Sequence, residues 1–62
     1  MEKLKELRIN AGLTQRELGK RAGLTPGAVW NIEHRGTASP PTLKKIADVL
    51  GVKPVELLRE ER

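Results

Sequence analysis

The stretch LTQRELGKRAGLTPGAVWNIE, residues 13–33, predicts two short helices joined by a tight turn. Thr14 and Glu17 have the spacing of a capping box, in which each side chain accepts a hydrogen bond from the other residue's backbone N–H. The first helix should therefore begin at about Gln15. Gly23 can adopt the left-handed conformation that ends a helix, so both ends of this helix are marked in the sequence.

The second helix of the pair follows a second N-cap residue, Thr25. Pro26 fits the first helical position, where the missing N–H costs nothing, and Val29 and Ile32 supply a buried face. Two helices that cross steeply within so short a segment need a small residue where they touch, which Gly19 supplies. Glycine weakens a helix interior by roughly 1 kcal/mol, so Gly19 predicts an unusually close backbone contact.

Apolar residues also recur at helical spacing on both sides of this pair. The stripes begin at Leu4 before it and at Leu43 after it, and no segment alternates with the period of a strand. Ser39 is expected to cap the fourth helix, and Pro54 to start a fifth. We therefore predict one all-α domain over residues 1–62, with helices at about residues 2–11, 15–22, 26–33, 40–50 and 54–60, and fraying over residues 60–62.

The composition limits the classes of function. The chain has no cysteine and one histidine, so we expect no disulfide, no metal site and no cofactor. It lacks a nucleophile, histidine and acid constellation, and so small a domain offers no pocket to shield a reaction, so we expect no enzymatic activity. No apolar run reaches membrane-spanning length and no signal peptide is visible, which predicts a cytoplasmic protein. The net charge of +4 favours a polyanionic partner, although solubility alone would also explain it.

The two-helix segment resembles the helix-turn-helix of phage repressors and Cro proteins, the XRE family. The residues that match in register are Thr14-Gln15, Glu17-Leu18, Ala22-Gly23, Thr25, and Val29 through Ile32-Glu33. The resemblance runs from about Leu4 to Leu58, although alanine is usual in the family at Gly19 and the loop at residues 34–38 is one residue shorter. It implies a compact five-helix lambda-repressor-like bundle with the helix-turn-helix as helices 2 and 3. It also implies a sequence-specific, double-stranded DNA-binding transcriptional regulator, a repressor, whose third helix enters the major groove.

Four residues are expected to contact DNA phosphates. Gln15 and Arg16 lie at the N-terminus of the second helix, where free N–H groups and the helix dipole favour anions. The resemblance assigns a phosphate contact to Gln15, whereas Arg16 is equally well explained as a solvated charge. Arg35 and Thr37 follow the third helix and would hold the strand on the other side. Such contacts set the register of the protein on DNA and carry no sequence information.

The outward face of the third helix is expected to contact base edges. It carries Thr25, Pro26, Gly27, Trp30 and Asn31. Because Pro26 and Gly27 have no hydrogen-bonding side chain, direct readout depends on few groups. Asn31 can bond adenine through N6 and N7, and Thr25 can reach a phosphate or a base. We therefore predict modest sequence specificity, or specificity that comes partly from DNA shape.

Trp30 and His34 need separate interpretations. Helix geometry turns Trp30 away from the buried Val29 and toward the groove. There the indole would contact a thymine methyl group or a sugar, or anchor a protein contact. The alternative is that it folds back over Pro26 or the loop. His34 is expected to be an exposed polar residue at the helix end, and the sequence offers no support for a pH switch.

Arg8 is the unusual residue of the first helix, since it follows Leu4 by four positions and leans toward the buried side. The resemblance implies an ion pair between Arg8 and Glu33, and a buried charge requires a partner. The alternative is that both residues lie on the surface and never meet.

The partners follow from the resemblance. Modules of this kind usually bind DNA as two-fold dimers. The candidate dimer surface is Val55, Leu57 and Leu58, if the core does not use all three, and it predicts a weak homodimer that DNA reinforces. The alternative function is a protein-interaction module, because the same fold serves in antitoxins and coactivators, and an exposed Trp30 would suit a protein partner.

Overall fold

The computed structural model describes residues 1–58. Its helices are α1 (Glu2–Asn10), α2 (Gln15–Ala22), α3 (Pro26–Arg35), α4 (Pro40–Leu50) and α5 (Pro54–Leu58). This part of the chain contains no strand, and the predicted all-α, five-helix fold is confirmed. None of these helices is long and apolar enough to cross a membrane. The predicted last turn of the fifth helix and the predicted fraying fall at residues 59–62, outside the described residues.

Two helix ends differ from the predicted bounds. α1 ends at Asn10, one residue earlier than expected, and Gly12 follows with a φ of 73°. α3 continues to Arg35, two residues further than expected. The reason is Gly36, whose left-handed backbone lets its N–H bond the carbonyl oxygen of Ile32 at 2.9 Å. The third helix therefore exposes one more half-turn than the sequence pattern indicated.

The helix starts use the expected capping residues with one exception. The Thr14 hydroxyl accepts from the Glu17 N–H at 3.0 Å, and the Thr14 N–H donates to the Glu17 carboxylate at 2.9 Å, as a capping box requires. Hydrogen bonding from Thr14 lowers the pKa of Glu17. The Thr25 hydroxyl accepts from the N–H three residues on at 3.1 Å. Ser39 takes the N-cap position of α4, but its hydroxyl pairs with the Thr42 hydroxyl at 2.9 Å, so the expected serine cap of the backbone is wrong.

The core of the described residues is a small apolar cluster. α2 packs against α3 and α4. α1 packs against α3 and α5, and α5 also packs against α4. The buried members are Leu4, Leu13, Leu18, Ala22, Val29, Ile32, Leu43, Ile46, Ala47 and Leu57. Every helix contributes at least one of them, as a chain this short requires if it is to bury a useful fraction of its surface.

Leu57 is part of this core, and its assignment to the dimer surface is wrong. Its side chain is 1 % exposed, whereas Val55 is 58 % and Leu58 56 % exposed. The physical reason is the helical period, which directs Leu57 into the core and places Val55 and Leu58 on other sides of α5, in solvent. The spare apolar surface of α5 is therefore smaller than the sequence pattern indicated.

Gly19 makes the close backbone contact that its position predicts. A Cβ atom built at Gly19 would lie 2.7 Å from the carbonyl oxygen of Leu24 and 3.3 Å from the carbonyl carbon and oxygen of Thr25. The Leu24 N–H also bonds the Gly19 carbonyl oxygen, with an N–O distance of 2.6 Å. The turn between α2 and α3 therefore lies directly on the α2 backbone, and no side chain fits between them.

We expect Gly19→Ala to destabilise the domain. Overpacking of this kind costs about 1–3 kcal/mol, which exceeds the gain of about 1 kcal/mol from replacing glycine in a helix. The net loss in the free energy of unfolding should be about 1 kcal/mol in chemical denaturation.

Gly27→Ala is the matched control. Gly27 lies in α3 with no atom within 4 Å of a built Cβ, so alanine there should raise the free energy of unfolding by about 0.5–1 kcal/mol. Equal stabilisation by both substitutions would contradict the close contact at Gly19.

Candidate nucleic-acid interface

The outward face of α3 is open to solvent along its length. The five residues predicted to contact bases are all exposed, namely Thr25, Pro26, Gly27, Trp30 and Asn31. Behind them Val29, Ile32 and Glu33 are buried against the other helices. The helix is thus held firmly from one side and presents the other side as a free surface.

The polar side chains on this face differ in how many hydrogen-bond donors and acceptors remain free for a ligand. The Thr25 hydroxyl oxygen accepts the capping hydrogen bond, so its own hydrogen is left to donate. No side chain of residues 1–58 hydrogen-bonds the Asn31 amide, which keeps all of its donors and acceptors for a ligand. Gly27 has open space above its Cα, so another backbone can approach it closely.

Trp30 packs on His34, a residue that the sequence placed in the loop and that the structure places in α3. Its indole stacks on the His34 ring one turn further along α3, with ring centroids 3.9 Å apart and an angle of 16° between the planes. Trp30 remains 48 % exposed. The His34 Nδ1 lies 2.9 Å from the Trp30 carbonyl oxygen. The pair therefore forms one flat, ordered surface on the exposed side of the helix.

Glu33 is a buried charged residue whose carboxylate is held by hydrogen bonds from other helices. Its carboxylate is paired with Arg8, whose Nε donates to Oε2 at 2.5 Å and whose Nη2 donates to Oε1 at 3.3 Å. The remaining arm of Arg8 donates through Nη1 to the Leu13 carbonyl oxygen at 2.9 Å. The two side chains are only 11 % and 2 % exposed. The ion pair implied by the resemblance is present, and the alternative of two separate surface residues does not apply.

Gln15 joins the same cluster, which the sequence did not indicate. Its Nε2 donates to the Glu33 Oε1 at 3.0 Å. The two residues are 18 positions apart, and only the crossing of α2 over α3 brings them together. With its side chain held by Glu33, Gln15 would contact a phosphate chiefly through its backbone N–H at the start of α2. Arg16, Arg35 and Thr37 are all exposed.

The C-terminal end of α3 is held by the start of the chain. The Met1 ammonium donates to the Glu33 carbonyl oxygen at 2.5 Å and to the Ile32 carbonyl oxygen at 3.4 Å. A positive group at this end of a helix satisfies free carbonyls and complements the helix dipole. Around this contact Glu2, Lys5 and His34 line an open cleft of about 330 Å³. No cluster of three acidic or histidine side chains in residues 1–58 is placed to hold a metal ion.

Glu33 stays ionised because its partners outweigh its burial. Burial raises the pKa of the carboxyl group, but hydrogen bonds from Arg8 and Gln15 lower it. The positive charges of Arg8 and Lys5 lower it further, so the pKa of Glu33 lies below its ordinary value of 4.5. Ionised Glu33 thus links α1, α2 and α3 at neutral pH.

This fold and this surface define a helix-turn-helix DNA-binding domain. A family model described as helix-turn-helix matches residues 4–57. Since the match spans most of the chain, the protein belongs to that family, the Cro- and repressor-type helix-turn-helix domains, and it is a DNA-binding helix-turn-helix regulator. Among curated proteins, none matches the sequence with significance.

We expect Glu33→Gln to lower the free energy of unfolding by about 3 kcal/mol, because it leaves the Arg8 charge buried without its counter-ion. Glu17→Gln is the matched control. Glutamine still serves in a capping box, so this exposed change should stay within about 0.5 kcal/mol of the parent. Thermal or chemical denaturation of the three proteins at neutral pH measures both effects.

The same variants test the pH dependence. Because the folded pKa of Glu33 is lowered, its stabilising contribution is complete above pH 4.5 and is lost as the pH falls through the folded value. Glu33→Gln should therefore lose less stability on acidification than the parent. An equal acid-induced loss in both proteins would show that the pKa of Glu33 is not lowered by folding.

Proposed function

We propose that this protein is a sequence-specific transcriptional repressor that places α3 in the major groove of double-stranded DNA. The observation that carries the proposal is the exposed outer face of α3, backed by the buried Val29, Ile32 and Glu33. A helix held in this way can enter the groove without rearranging the core. A repressor acts by occupying its site on DNA. The proposed target is double-stranded DNA, and the proposed location of the protein is the cytoplasm.

The polar groups of α3 support base contacts that are few and specific. Asn31 keeps its whole amide for a base edge, and the Thr25 hydroxyl keeps one donor. The bidentate pattern that an amide makes with adenine is worth about 1–3 kcal/mol of discrimination. Pro26 and Gly27 add close packing but no hydrogen bonds, so part of the specificity would come from the shape of the DNA.

Phosphate contacts would be made on both sides of this face. Arg16 is exposed in the first turn of α2, next to the backbone N–H of Gln15. Arg35 and Thr37 are exposed at and beyond the end of α3. The net charge of +4 is consistent with this arrangement, because neutralised phosphates release counter-ions and supply much of the affinity.

A weak homodimer on DNA is the second part of the proposal. Val55 and Leu58 are the large apolar side chains of α5 that remain exposed once Leu57 is assigned to the core. Ile9, 56 % exposed, lies on α1, the helix that packs against α5. So small an apolar surface supports only a weak dimer, which binding to adjacent half-sites would reinforce.

The competing function is a protein-interaction module. The feature that favours it is Trp30, a large aromatic side chain that is 48 % exposed on a face with few hydrogen-bonding groups. Tryptophan is enriched among the residues that dominate protein interfaces. The two functions differ in salt dependence, because contacts with phosphates weaken steeply as salt rises, whereas an aromatic contact does not.

Selection from a random duplex pool, carried out at two salt concentrations, tests DNA binding. We expect enrichment of an inverted repeat and lower retention at high salt. Asn31→Ala should relax the preference at one base pair of each half-site, at a cost of about 1–3 kcal/mol. Arg16→Ala should weaken binding to all sequences alike and reduce the salt slope by about 1.

Each other outcome has a distinct meaning. Retention that depends on salt but enriches no sequence would contradict sequence-specific repression and leave non-specific DNA binding. No retention even at low salt would contradict DNA binding and favour a protein partner at Trp30.

Leu58→Lys tests the dimer surface. It should leave the thermal unfolding midpoint nearly unchanged, because Leu58 is exposed, and weaken binding to an inverted repeat by about tenfold while binding to a single half-site is unaffected. Leu57→Lys is the contrasting variant, since a charge at this buried position should unfold the domain. Equal binding of Leu58→Lys and the parent to the inverted repeat would remove α5 from the interface.

A further inference from the structure

The contact of His34 with the Trp30 carbonyl oxygen requires one particular neutral tautomer of the imidazole ring. Its Nδ1 lies 2.9 Å from the Trp30 carbonyl oxygen. A carbonyl oxygen only accepts hydrogen bonds, so Nδ1 must carry a hydrogen for this contact to exist. In the neutral ring the other nitrogen, Nε2, then has a lone pair and no hydrogen. Neutral His34 therefore presents an acceptor at Nε2.

The stack with Trp30 fixes the plane of the ring, and the hydrogen bond to the Trp30 carbonyl oxygen selects which way round the ring lies in that plane. The ring planes are nearly parallel, with centroids 3.9 Å apart, and the two residues are one helical turn apart on α3. Turning the imidazole by 180° about its Cβ–Cγ bond would keep the ring plane and the stack, but it would place Cδ2 instead of Nδ1 at the carbonyl oxygen and lose the hydrogen bond. The indole face also attracts a positive charge, so protonation of the ring is compatible with the stack.

We propose that His34 binds a DNA phosphate only in its protonated form, through Nε2–H, so that DNA binding is coupled to proton uptake. The inference rests on the proposed DNA-binding function. Phosphate oxygens only accept hydrogen bonds, and the acceptor of the neutral ring cannot pair with them. Protonation converts Nε2 to a donor and adds a positive charge, which gives a charge-assisted hydrogen bond.

The position of His34 favours phosphate over a base edge. The N-terminal half of a recognition helix contacts the bases, whereas His34 lies in the last turn of α3 beside Arg35. His34 is exposed, and Thr37 follows it just beyond the helix. With Arg35 and Thr37 already assigned to phosphate contacts, His34 extends that group and makes its strength depend on pH.

The charged groups around the ring are those of α1 and α3. The Met1 ammonium, just before α1, lines the cleft that His34 shares, together with Glu2 and Lys5 of α1 and Glu33 of α3. The Glu33 carboxylate is already paired with the Arg8 guanidinium. α2, the other helix packed against α3, contributes no residue to this cleft among residues 1–58. The Glu33 charge is thus matched before DNA arrives, and an incoming phosphate is the new negative charge that favours the imidazolium.

Binding of a short random-sequence duplex at pH 6 and pH 8, at fixed ionic strength, tests the inference, since histidine changes charge between pH 5 and 8. The parent should bind about three- to tenfold more tightly at pH 6, and its salt slope should be larger there by about 1. His34→Gln should bind equally at both pH values, at the level of the parent at pH 8. His34→Lys, charged at both, should bind at the level of the parent at pH 6.

Two results would overturn the inference while leaving DNA binding intact. One is affinity of the parent that does not change between the two pH values. The other is a pH dependence that persists in His34→Gln, which would place the titrating group elsewhere. Absence of binding by the parent at both pH values would contradict the proposed function itself, and this inference with it.

A measurement on the free protein tests the geometry separately. Two-bond ¹⁵N–¹H correlation spectra of the imidazole distinguish its two neutral tautomers. At pH 8 the spectrum should show the Nδ1–H form, as the contact with the Trp30 carbonyl requires. The Nε2–H form would overturn the inference, because neutral His34 would then already present a donor to phosphate.

Discussion

The arrangement of this domain depends on one buried carboxylate. Glu33 lies on α3, and its two oxygens accept hydrogen bonds from Arg8 of α1 and Gln15 of α2. A charge removed from water in this way is tolerated only when its partners stay in place, so the cluster fixes three helices relative to one another. Arg8 also reaches the carbonyl of Leu13, just before the helix-turn-helix begins. The recognition helix is thus oriented by a polar contact that the apolar core alone does not provide.

The apolar core is small, and part of the packing between elements is made by backbone atoms. A 62-residue chain has few side chains to bury, and the contact of α2 with the following turn is made backbone to backbone at Gly19. This close approach sets the angle between α2 and α3, because the turn rests on the helix itself. Leu57 completes the core from the far end of the chain. The large apolar side chains that α5 leaves exposed are Val55 and Leu58.

The surface of α3 combines sparse hydrogen bonding with one ordered aromatic pair. Pro26 and Gly27 leave the start of the helix smooth, and Asn31 is the one side-chain amide on the face. Trp30 and His34 stack one turn apart, and each restricts the other. A stiff aromatic surface loses little conformational entropy on binding, which offsets part of the cost of having few polar contacts.

The local features could be predicted from the amino-acid sequence, because each depends on residues that are close together along the chain. The capping box at Thr14, the N-cap at Thr25 and the need for close contact at Gly19 all follow from spacings of a few positions. The remaining contacts form only when the helices pack together. Gln15 meets Glu33 across 18 positions, Leu57 enters the core while Leu58 does not, and the exposed His34 stacks its ring on Trp30. These outcomes depend on how the helices cross and on rotamer choices within the finished packing, which periodicity does not specify.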